Sequence, residues 1–126
     1  MLKKSIRNNI ILWRLTLDTN NNFHIIAEFE FFIENTKVWL NECFVTEELR
    51  RKGIAEFIII KAIEEFDEIY FSSADKGEHR RRNIENDKRY IEPPDGENFV
   101  KALLVKKIIK QEWYKNPFNK DSYSII

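Results

Sequence analysis

The amino-acid sequence predicts a single α/β domain over residues 1–126, in which an antiparallel strand meander is followed by a βαβ core in one mixed sheet. Three observations point there. Apolar and polar residues alternate across 11–18 and 23–34, the period-two pattern of strands with one buried face. The stretch 54–66 is rich in Ile, Ala and Glu and lacks Gly and Pro, which suits a helix. A short apolar run containing Ile69-Tyr70-Phe71 follows it, and a strand reached through a crossover helix runs parallel to the strand before that helix.

In order along the chain, a polar N-terminus precedes the first strand, where Ile11, Trp13, Leu15 and Leu17 share one face. Thr19-Asn20-Asn21-Asn22 supplies a turn. Phe23, Ile25, Ala27, Phe29, Phe31 and Ile33 then line one face of the clearest strand, opposite His24, Glu28, Glu30 and Glu34. Residues 34–37 read as the next turn, and 38–45 as a third strand, apolar on parts of both faces and so more central. The helix over 54–66 packs on this sheet, and 68–74 forms the parallel strand. Residues 76–91 are charged and suit an exposed helix that Pro93-Pro94 stops. In 99–113, Phe99, Leu103, Leu104 and Ile108 have helical spacing while 100–105 also suits a buried strand; helix is favoured over most of it. The last stretch, around Pro117-Phe118 and 123–126, suits an edge strand.

Hydrophobic residues make up 43% of the chain and charged residues 33%, with three Gly and three Pro, so low-complexity and collagen-like classes are excluded. The 21 basic and 21 acidic residues cancel, leaving no overall footprint for nucleic acid or an anionic membrane. Arg80-Arg81-Arg82 is interleaved with Glu78 and Glu85, which favours a solvated helix face over an RNA contact. The single cysteine, Cys43, suits a reducing compartment, with the cytoplasm as the expected location. No apolar run is long enough for a membrane helix. His24, His79 and Cys43 lack metal-ligand spacing, so no metal is predicted. Trp13, Trp39 and Trp113 read as core or interface residues.

The stretch that carries chemistry is Val45-Thr46-Glu47-Glu48-Leu49-Arg50-Arg51-Lys52-Gly53-Ile54-Ala55, between a strand and a helix. The first N–H groups of a helix have no partner within it and carry the positive end of its dipole, so a pyrophosphate fits there. Gly53 lets the backbone approach phosphate oxygens, Ala55 keeps the first turn small, and Arg50, Arg51 and Lys52 add positive charge. An ordinary solvated strand-to-helix turn with a basic rim is the plainer reading of the same residues.

The pattern Arg50-x-x-Gly53-x-Ala55 resembles the signature loop of the GNAT superfamily of acyl-CoA-dependent N-acyltransferases, and the element order from about residue 10 to residue 91 is similar to that family's core. The resemblance implies acetyl-CoA as acyl donor, with its pyrophosphate on the backbone of 51–55 and its pantetheine along Phe44, Val45 and Thr46. Asn83 and Tyr90 resemble the Asn and Tyr of a later helix in the family; Tyr90 would protonate the leaving CoA thiolate, and Asn83 would belong to the cofactor site. The Gly-Phe that follows that Tyr in the family is replaced here by Ile91-Glu92-Pro93-Pro94. Glu42 resembles the position of a catalytic Glu and would assist deprotonation of the amine; the alternatives are binding a cationic acceptor or plain solvation. Where family members place two helices after the first strand, this chain has a four-residue turn. That opening suits a protein lysine or N-terminus as acceptor, or a site completed by the second copy of a homodimer. A noncatalytic protein of the same fold, acting through protein contacts, is the competing expectation.

Overall fold

Two short turns led by asparagine set the register of the sheet. The computed structural model describes residues 1–19, 22–50, 52–74, 78 and 95–118. Strand β1 (Leu2–Arg7) turns into β2 (Ile10–Thr19) through Asn8 and Asn9, whose φ angles are 51° and 67°. Strand β3 (Asn22–Glu34) turns into β4 (Lys37–Val45) through Asn35 and Thr36, with φ angles of 50° and 67°. Positive φ at both central residues is what a two-residue type I′ hairpin needs, and Asn tolerates it best after Gly. The four strands form an antiparallel sheet in the order β1-β2-β3-β4. Strand β1 was not foreseen, since the N-terminus read only as polar. Five of its six residues are exposed, and such an edge strand carries little period-two signal. Its start is tied down by Thr16 N–H donating to the Met1 carbonyl at 2.9 Å.

Helix α1 (Ile54–Phe66) covers one face of the sheet, as expected. Its Ile58, Ile59 and Ala62 enter one core with Ile11, Trp13, Ala27, Phe29, Phe31 and Leu40. The rings of Trp13, Phe31 and Phe66 meet pairwise at 5.4–5.7 Å between centroids. Burial of each such side chain contributes about 1.5–3 kcal/mol. Trp13, Trp39 and Trp113 are all buried.

Beyond α1 the chain returns to β4 at Tyr70, which bridges Trp39 in parallel. Tyr70 N–H donates to the Val38 carbonyl at 2.8 Å and Leu40 N–H to the Tyr70 carbonyl at 3.0 Å. The direction is the one a crossover predicts, but the contact is short. Strand β5 (Phe71–Ser72) then leaves β4 and pairs in parallel with β6 (Tyr114–Lys115). Helix α2 (Asp95–Val105) begins earlier and ends sooner than the 99–113 pattern suggests. It stops in a Schellman arrangement: Ile108 N–H donates to the Leu103 carbonyl and Lys107 N–H to the Leu104 carbonyl, each at 3.0 Å, with Lys107 at φ 60°. A Lys in the place usually held by Gly hid this stop from the sequence. A 3-10 turn, Gln111–Trp113, then leads into β6. The protein is thus a mixed α+β fold. Pro117-Phe118, expected in an edge strand, form a turn instead, and Glu78 is helical as expected; the rest of the helix expected over 76–91, the strand over 123–126 and the Asn20-Asn21 turn lie outside the described residues. Among the described residues, no helix is long and apolar enough to cross a membrane.

Candidate functional site

The end of β4 is shaped by one extra residue. Phe31 pairs with Leu40 and Glu30 with Glu42, so Asn41 is a bulge in the ladder. A bulge reverses which face later side chains occupy. Leu40, Cys43 and Val45 consequently share the face of Phe31, Phe29 and Ala27, toward α1, while Glu42 and Phe44 lie with Glu30 and Glu28 on the other face. Asn41 is buried and its Nδ2 donates to the Glu30 carboxylate. This pinning residue carried no sequence signal beyond being a polar residue in an apolar strand.

Ladder pairing ends where Thr46 N–H donates to the Ile26 carbonyl at 3.0 Å. By strand alternation the Val45 carbonyl therefore points away from β3. It accepts a hydrogen bond from Arg50 Nε at 3.0 Å, which closes the loop between them. A 3-10 turn, Glu47–Leu49, fills that loop and is followed by Arg50 in extended conformation. Lys52 and Gly53 are exposed.

Gly53 has φ 81° and ψ 6°, the left-handed region, and stands as N-cap of α1 without a side-chain cap. A Cβ built there meets nothing within 4 Å. Glycine is needed at this position for its backbone angle rather than for room inside the protein. The first helical bond is from Phe57 N–H to the Gly53 carbonyl at 3.0 Å. The amides of Ile54, Ala55 and Glu56 thus precede the helix's own ladder, as at any helix start. Glu56 in that first turn is engaged by Lys106, just past α2. That contact offsets a carboxylate that would otherwise oppose an anion there. The sequence reading missed Lys106, because it is 50 residues from Glu56 and only the packing of the two segments brings them together.

Of the residues singled out from sequence, Val45, Arg50, Gly53, Ile54 and Ala55 come together at the junction of β4 and α1. Phe44 is exposed on the opposite face, with Thr46 half-buried between strand and turn. Glu42 is exposed on the face away from α1 and stands beside Glu30. Arg51, Asn83 and Tyr90 lie outside the described residues. Comparison with protein-family models, curated proteins and solved structures finds no match to this chain.

Proposed function

We propose that this protein is a GNAT-like N-acyltransferase that binds acetyl-CoA at the β4–α1 junction and transfers its acetyl group to a primary amine by direct attack. One observation carries the reading. The loop leaving β4 enters α1 through a left-handed Gly53 with open space beside it, and β5 has already parted from β4, beyond Tyr70, before β4 reaches that loop. An uncapped helix start with adjacent basic residues favours a pyrophosphate. Departure of β5 after Tyr70 supports an acyl chain lying beside Val45, whose carbonyl faces away from β3 and is held by Arg50.

In this reading the amides of 53–55 hold the pyrophosphate, and Arg50 and Lys52 add charge around it. Arg51 belongs with the cofactor by its place in the loop motif and Asn83 by its resemblance to the later-helix Asn, the backbone of Phe44, Val45 and Thr46 lines the pantetheine path, and Tyr90 protonates the thiolate. The amine must be neutral to attack the thioester carbon. Carbon–sulfur cleavage follows as the carbon–nitrogen bond forms, and the released proton ends on the thiol. Glu42 and Glu30, neighbouring carboxylates on an exposed face, suit attraction of a cationic acceptor. The cytoplasm is the compartment that goes with this reading. A noncatalytic acyl-CoA-binding or protein-binding role is the second reading, favoured by the exposure of Glu42 away from α1.

Release of CoA thiol from acetyl-CoA in the presence of a panel of amines and lysine peptides tests the proposal. Amine-dependent thiol release lost in Arg50→Ala and Gly53→Glu supports transfer. Binding of acetyl-CoA without thiol release supports the noncatalytic reading.

A further inference from the structure

Near the start of β4, at the end away from Gly53, two amines crowd a single aromatic ring. Lys37 Nζ stands 5.1 Å from the centroid of Tyr70, and Lys115 Nζ stands 4.6 Å from the same centroid. The ring is buried and backed by Trp39, 5.6 Å away between centroids. Its hydroxyl donates to Glu68 at 2.5 Å. Lys37 comes from the start of β4, Lys115 from β6, and Tyr70 and Glu68 from the segment entering β5. Glu112 in the neighbouring 3-10 turn is the other charge that acts on Lys115.

One ammonium over a ring face is attracted to it. Two crowded at one ring repel each other, and partial burial removes the water that would screen them. Glu68 and Glu112 act the other way. Burial first, and then the charge and hydrogen bond of Lys37, outweigh these carboxylates and hold Lys115 below the usual lysine range. A lysine next to another cation in a partly desolvated place is a recognised way to make a nucleophilic amine.

We propose that Lys115, crowded with Lys37 over the Tyr70 ring, is a nucleophilic amine and a site of covalent acylation by activated acyl donors such as thioesters. The neutral Nζ attacks the acyl carbon, the carbon–nitrogen bond forms, the carbon–sulfur bond breaks, and the thiolate leaves and takes up the proton that the nitrogen loses. Nothing is oxidised or reduced. This inference is independent of the Gly53 site, because any activated acyl donor would serve.

The test is brief labelling of the full chain with limiting N-hydroxysuccinimidyl acetate from about pH 7 to about pH 10, a range below the ordinary lysine pKa. Peptide mass mapping then gives a pH profile for each lysine. Exposed Lys61 and Lys107 serve as internal references. Lys115 should carry more label than either at the acid end, with its midpoint below the ordinary lysine value. Lys37→Met should move that midpoint up toward the ordinary value, and Lys37→Gln serves in its place if the first variant does not fold. Labelling of Lys115 no faster than Lys61 and Lys107, or a midpoint unmoved in the folded Lys37 variant, would overturn the proposal.

Discussion

Gly53 is where backbone geometry and proposed chemistry meet. Its φ of 81° is unfavourable for a side chain with Cβ, and Gly53→Ala should cost about 1 kcal/mol by that strain. Asn accepts left-handed angles more readily, so Gly53→Asn should lose less; urea unfolding of the three proteins checks the order. Arg50→Ala should leave stability within about 1 kcal/mol, since it removes one solvent-exposed hydrogen bond of modest net worth. Its effect should fall on acetyl-CoA binding. Tyr70 gives a prediction of a different kind. Burial, with the Glu68 carboxylate accepting from its hydroxyl, pushes it up to about 12. An unfolded chain releases a phenol proton near about pH 10. From there upward the unfolded state binds fewer protons than the native state, so this group's stabilisation is full below that pH and is lost as pH rises through about 12. Phenolate absorbance should include a component rising at about pH 12 that Tyr70→Phe removes. A titration left unchanged by Tyr70→Phe would contradict this environment.

Among the elements, Asn41 and Lys107 show what sequence pattern conveys and what it conceals. Strands 11–18 and 23–34 were legible because each has one buried face at period two, 38–45 because it is apolar on parts of both faces, and the helix over 54–66 because it is rich in Ile, Ala and Glu and lacks Gly and Pro. The β4–α1 loop was legible because its special residue is a glycine. The Asn41 bulge was not, because it depends on pairing with β3: Glu30 meets Glu42, and Phe31 meets Leu40. Deleting Asn41 should turn Cys43 and Val45 away from α1, so the deletion should destabilise far more than Asn41→Ser, as circular dichroism melting would show. The stop of α2 was hidden because Lys107, at φ 60°, has no Gly or Pro beside it. Lys107→Gly should stabilise by about 0.5–1 kcal/mol by relieving the left-handed backbone. A lower melting temperature in that variant would mean that the helix end is not held this way. Strand β1 carried a readable cue in Asn8-Asn9, a hairpin dipeptide, but its exposed side chains gave no alternation to support it.

For the whole molecule, the sheet, α1 and the return at Tyr70 place one end of β4 beside a helix start and its other end beside two lysines. Formal charge is balanced across the chain, so anion binding would be a local property of the β4–α1 junction rather than of the overall field. That places the weight on Gly53 and its neighbours. The most direct measurement is calorimetric titration of the native chain with acetyl-CoA and with CoA, beside Gly53→Glu, with Gly53→Asn as a check that a side chain at this position is compatible with folding. Saturable binding by the native chain, abolished in a folded Gly53→Glu protein, is the result the account predicts. A well-folded native chain that takes up neither ligand would contradict the acyltransferase proposal.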